Sequence, residues 1–131
     1  AVVRKQGTDL TIVAFGRMVH EALDAAEQLK DVGLNVEVID ARSVQPFDTA
    51  TVVASIKKTH RALIVHEAVK FGGIGAEITA QIQEEAFDYL DAPIMRVAAP
   101  FSPVPFSPAL EKLYIPNAVG IVTKVKETLE L

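Results

Sequence analysis

In the stretch HEAVKFGGIGAEI, residues 66–78, a histidine and a glutamate stand ahead of three glycines, Gly72, Gly73 and Gly75. Residue types in this pattern serve three kinds of chemistry. A glycine-rich turn that opens a helix cradles a phosphate with its amides. A His–Glu pair at the carboxyl edge of a sheet carries out acid–base work. Glycines also let a backbone pass where a Cβ would collide.

The phosphate reading meets mismatches. A dinucleotide fingerprint needs a third glycine where helix and strand pack closely, and Ile78 stands there. The fingerprint belongs after the first strand of an α/β succession, whose own turn here, FGRMVHE, has a single glycine. A Walker loop is excluded because Gly-Lys-Ser/Thr occurs nowhere. His66 and Glu67 are neighbours in an extended run, so their side chains point to opposite faces and do not converge on one atom. His20-Glu21 repeats the pair in a helical stretch, but Asp24 occupies the place where a zinc motif H-E-x-x-H needs its second histidine. All four are read as polar residues bonding a nearby backbone or subunit. The chain has no cysteine, which removes disulfides, thiolate metal sites and cysteine nucleophiles, and no serine lies in G-x-S-x-G.

The elements that must position these residues follow from apolar periodicity. LTIVAFG (Leu10–Gly16) is a short β-rich run closed by glycine. The next segment, from Met18, places Val19, Ala22, Leu23, Ala26 and Leu29 on one helical face and stops at Gly33. NVEVIDA (Asn35–Ala41) is a strand, and Asp48 is the N-cap of a helix over Thr49–Lys58. ALIVHEA forms the third strand of the series, followed by a helix from Ile74 to Phe87 and a strand over Ile94–Pro100. Five of the seven prolines then fall in PFSPVPFSPALEKLYIPN, which no central strand tolerates. Ser107-Pro108 opens a short helix there, and Asn117 caps a closing helix with Ile121, Val122, Val125 and Leu129 on one face. Strand–helix alternation with short connections implies one α/β domain over 1–131, a mostly parallel sheet covered on both sides.

The net charge of −4 argues against a nucleic-acid partner, and the one basic run, Lys57-Lys58 with His60 and Arg61, ends a helix, where cations complement the macrodipole. No apolar run has the length of a membrane span. Phe101, Phe106 and Tyr114 sit in the proline-rich segment, either as interface anchors or packed back on the domain. On these residues alone no complete active site is present.

Taken together in order, DLTIVAFGRMVHEALDAAEQL, VEVIDARSVQPFD, ALIVHEAVKFGGIGAEI and FDYLDAPIMRVAAPFSPVPFSPALEKLYIPN resemble the C-terminal domain of the transketolase family. The likeness is greatest to the β subunit of the E1 component of 2-oxo acid dehydrogenase complexes. The resemblance implies a three-layer α/β/α sandwich with a five-strand mixed sheet, AVVRKQ supplying an antiparallel first strand. It implies a fragment of a longer β subunit that pairs with an E1 α subunit and a second β subunit as α2β2, and that self-associates when alone. Thiamine diphosphate and Mg2+ belong to other domains of that parent, so the isolated domain is expected to bind neither and to be inactive. Catalytic, cofactor and metal residues are therefore expected to be absent here. The subunit-interface candidates are Glu67, Phe71, Gly72, Gly73, Gly75, Phe101 and Phe106; Leu131 is the candidate for docking the E2 subunit-binding domain. The expected location is the cytoplasm, or the mitochondrial matrix in a eukaryote. A C-terminal domain of transketolase or deoxyxylulose-phosphate synthase, a nucleotide- or effector-binding regulator, and an adaptor are the alternatives.

Overall fold

Side chains alternate across three apolar strands, and that alternation sets the architecture. The computed structural model describes residues 1–131. In chain order the elements are β1 (Val2–Lys5), β2 (Leu10–Ala14), α1 (Met18–Lys30), β3 (Val36–Asp40), α2 (Thr49–Thr59), β4 (Ala62–Val69), α3 (Ile74–Ala86), β5 (Met95–Ala99), α4 (Pro108–Tyr114) and α5 (Ala118–Thr128). The strands form one sheet in the order β1-β3-β2-β4-β5. β2 to β5 are parallel, and β1 runs antiparallel to β3. This is the mixed five-strand sheet that the resemblance implies.

Leu10 and Ile12 of β2, Val36 and Val38 of β3, and Leu63 and Val65 of β4 share one core with α1 and with Ala118, Ile121 and Val125 of α5. The intervening residues Val13, Ile39, Ala62 and Ile64 meet Val52, Val53 and Ile56 of α2 and Ile78 and Ile82 of α3. Each large side chain so buried contributes about 1.5–3 kcal/mol relative to exposure. A one-residue slip of any central strand would exchange the two cores, so register is tightly held.

Polar residues inside the sheet are all bonded. Thr11 of β2 shares hydrogen bonds with Ser55 at 2.6 Å and Thr59 at 2.7 Å on α2. Glu37 of β3, 2% exposed, accepts from the Gly7 amide at 3.0 Å and pairs with Lys58 of α2. Burial by itself raises the Glu37 carboxyl, but the Lys58 ammonium, the Ser55 hydroxyl and the Gly7 amide outweigh it and hold it below its ordinary value. The basic run is thus partly spoken for: Lys58 by Glu37, Lys57 over the Tyr89 ring at 5.1 Å, and His60 by the left-handed C-cap of α2.

Asp48 and Asn117 cap as expected, accepting from the amides of Thr51 at 3.1 Å and Gly120 at 2.9 Å. One expectation needs correction. α3 stops at Ala86, and Phe87–Tyr89 continue as a single 3-10 turn. Ser107 holds the N-cap position of α4 without a side-chain bond; only its carbonyl accepts, from Glu111 at 2.8 Å.

Candidate functional site

The carboxyl ends of β4 and β5 bring the glycine turn and the proline-rich segment together. Pairing between these strands is regular from Leu63↔Met95 to Val65↔Val97 and breaks before Val69↔Ala99. His66, Glu67 and Ala68 occupy the break. As the alternation requires, His66 turns inward, 3% exposed, while Glu67 faces solvent.

His66 is the internal wall of the glycine turn. The Gly75 amide donates to its Nε2 at 3.2 Å, so that nitrogen is the acceptor and Nδ1 carries the proton, donated to the Ala68 carbonyl at 3.1 Å. Burial first, and then the Arg96 guanidinium, push the imidazole below its usual histidine range, against the opposing effect of the Ala68 carbonyl. The glycines fit around this ring. A Cβ on Gly73 would lie 2.4 Å from the Val69 carbonyl oxygen and 2.8 Å from His66 Cε1; one on Gly75 would lie 2.8 Å from His66 Nε2. Gly72 takes a left-handed φ of +70° with open space around it. The turn is tied to β5 as well: the Lys70 carbonyl accepts from Arg96 Nη1 at 2.9 Å, and the Lys70 amide donates to Ala99. The close approaches that demand glycine therefore lie within this chain.

Outside the turn the surface is apolar. Phe71 and Phe101 are 74% and 76% exposed, and their rings meet at 5.2 Å with a 58° tilt. They line an open cleft of about 610 Å³ with Lys70, Arg96, Ala98 and Leu113. Leu113 also borders a neighbouring cleft with Pro103, Leu110 and Tyr114, so the patch continues along α4. Leu113 is 84% exposed. The proline-rich segment divides the two roles foreseen for it. Tyr114 is buried, its hydroxyl donating to the Ser102 carbonyl at 3.0 Å, whereas Phe101 and Phe106 stand in solvent. Contiguous apolar surface of this kind is a candidate interaction surface.

Glu67, Phe71, the three glycines and Phe101 thus gather at one edge. Phe106 lies in the same segment but lines neither cleft. Leu131, exposed after α5, shares no cleft with them. The second His–Glu pair has no joint role: Glu21 accepts the Ala118 amide at 2.9 Å, holding the start of α5, while His20 is exposed. Leu110 and Leu113 were missed as site residues; their i, i+3 spacing after Pro108 was the available signal.

A family model described as "Transketolase, C-terminal domain" matches residues 1–121. The chain belongs to the transketolase C-terminal domain family. Among curated relatives, the pyruvate dehydrogenase E1 component subunit beta of Staphylococcus aureus (strain N315) is 48% identical over 130 residues, and that of Staphylococcus epidermidis (strain ATCC 12228) is equally so. The alignment covers 99% of this chain and 40% of each relative, so the chain spans two-fifths of their length. Among solved structures, a split-gene transketolase described as an inactive beta4 tetramer superposes with a TM-score of 0.78 at 33% identity, over 99% of this chain and 41% of that one. A transketolase from Pichia stipitis matches in fold, with a TM-score of 0.60 at 18% identity over 98% of this chain and 17% of that one. The transketolase C-terminal fold, with its antiparallel edge strand, is the one the residues resembled.

Proposed function

We propose that this chain is the assembly domain of a thiamine-diphosphate-dependent 2-oxo acid dehydrogenase E1 β subunit. The parent would decarboxylate a 2-oxo acid oxidatively and pass the acyl group to a lipoyl-bearing E2, in the cytoplasm. The 48% identity to pyruvate dehydrogenase E1 β subunits supports this parentage. The observation that carries the assembly role is the Phe71–Phe101 pair, two large aromatics left in solvent at the end of the sheet. Aromatic anchors of this kind concentrate binding energy at interfaces.

The residues present do not fit the diphosphate and magnesium of such an enzyme. No three His, Asp or Glu side chains are grouped to hold a cation, and the amide of Gly75, the natural anion donor of the turn, is engaged by His66. No catalytic step is assigned to this chain. Its part is to position subunits, with the E1 α subunit and a second β subunit as partners across the Phe71 patch. The split-gene transketolase described as an inactive beta4 tetramer, of whose chain the match covers 41%, supports self-association of chains that carry this domain. The exposed Leu131 end is a separate proposed contact for the E2 subunit-binding domain. If it works through charge pairing, that binding weakens as salt rises.

The test is to introduce Phe71→Ser with Phe101→Ser into the full β subunit and co-express it with its α subunit. Sedimentation should show loss of the α2β2 species while the folded β chain persists. Unaltered assembly would refute the reading.

A further inference from the structure

We infer that His66 is a proton-sensitive latch: the neutral imidazole holds the turn that presents Phe71, and its protonation releases that turn. The geometry leaves little alternative. Nε2 is the only acceptor given to the Gly75 amide, at 3.2 Å. Nδ1 is already committed as donor to Ala68. A second proton must therefore land on Nε2, where two N–H groups would face each other. A buried donor left without an acceptor is disfavoured, so the bond opens. The ring cannot turn aside, since it fills the concavity left by Gly73 and Gly75. Release has to move the backbone between Val69 and Gly75.

The charges around the ring favour its neutral form. From β5, Arg96 lies against the same turn, its Cδ 3.2 Å from where a Gly75 Cβ would be. From α3 comes the positive end of the helix dipole. The nearest carboxylates in sequence do not answer them: Glu67 points to the opposite face in solvent, and Glu77 is exposed and accepts from Gln81. No salt bridge joins His66 to any acid. Phe71 sits within the moving segment, between the Lys70 anchor on β5 and the Gly75 bond. Opening would therefore uncouple Phe71 from Phe101. Only this last consequence, weaker association on acidification, rests on the interface reading above.

The experiment follows the amide of Gly75 by hydrogen exchange in the 131-residue chain, with the His66 ring nitrogens followed by NMR, between about pH 7.5 and pH 5. As the ring titrates, the protection factor of Gly75, corrected for intrinsic exchange, should fall about tenfold, while amides of β2 and α1 stay protected. In His66→Gln, whose amide accepts a bond without titrating, the fall should vanish. A protonated ring with Gly75 still protected overturns the latch. A ring that stays neutral to about pH 5, or an equal loss in His66→Gln, does the same. Sedimentation at both pH values, with Phe71→Ser alongside, separates the two ideas. Association lost on acidification in the parent chain but not in His66→Gln supports the coupling, and association unmoved by a released turn overturns it. Normal association of Phe71→Ser would remove the interface reading and leave the latch standing.

Discussion

The loops that follow β4 and β5 begin at the same edge of the sheet and are built in opposite ways. After β4, the turn through Gly72, Gly73 and Gly75 packs against His66 and the Val69 carbonyl, with the Gly73 and Gly75 amides and the Lys70 carbonyl bonded inside the chain. After β5, the segment from Pro100 to Ser107 leaves Phe101, Val104 and Phe106 in water and holds itself by Tyr114 on Ser102. The glycine-rich loop, whose composition suggests ligand binding, packs its glycines against its own chain and leaves one large side chain, Phe71, in water. The proline-rich one, whose composition suggests mere connection, leaves three there. Loop composition reports backbone conformation; whether a loop is finished shows only in what its side chains touch.

The sharpest way to break this contrast is Gly73→Val. A Cβ there would sit 2.4 Å from the Val69 carbonyl oxygen, and β-branching adds to the clash, so strain of about 3 kcal/mol is expected. Urea unfolding should show a lower midpoint with an unchanged slope. Stability within about 0.5 kcal/mol of the parent, as at an ordinary surface position, would mean that the turn is not internally packed.

Two buried titrating groups need separating before any pH effect is assigned to the turn. Glu37 has a lowered carboxyl, so its contribution is present above the unfolded value of 4.5 and is lost as pH falls through the folded value below it. His66 also has a lowered folded value. Its contribution is complete above the unfolded value of 6.5 and declines as pH falls below it toward the folded value. Glu37→Gln should cost about 1.5 kcal/mol near neutral pH, the scale of a hydrogen bond to a charged group, and the deficit should shrink in acid. The stability loss beginning below the histidine range should survive in Glu37→Gln and disappear in His66→Gln. Denaturation curves at a series of pH values check both; a single window shared by the two variants would contradict the assignment.

The middle of the effect scale is Tyr114→Phe. Loss of the bond to the Ser102 carbonyl should lower stability by about 1 kcal/mol, read as a drop in melting temperature. A neutral result would mean that the proline-rich segment holds itself by some other contact.

Much of the fold was legible because its signals are local. The alternation in LTIVA and VEVID, the caps Asp48 and Asn117 and the stop at Gly33 each act within a few residues. The site was legible only as a set of names. That His66 and Glu67 diverge follows from strand geometry. That His66 lodges against Gly73 and Gly75 does not, because the break in β4–β5 pairing that lets Nε2 reach the Gly75 amide is a property of two strands together. The same limit hid Leu113. Its i, i+3 relation to Leu110 marks an apolar face, but only the path of the chain after Pro100 determines that Phe101 extends that face and Tyr114 turns away.

The smallest stability effect and the cleanest separation of folding from function belong to Phe106→Ser. Phe106 is fully exposed and lines neither cleft, so its removal should change unfolding free energy by less than about 0.5 kcal/mol. Thermodynamically the folded monomer should even gain in solubility, since a large apolar side chain leaves the surface. If Phe106 belongs to the same contact as Phe71 and Phe101, its loss should weaken association of the β chain in sedimentation while the melting temperature stays where it was. If association is untouched while Phe71→Ser disrupts it, the contact ends at Leu113 and α4. The patch would then be confined to the face that the two clefts share.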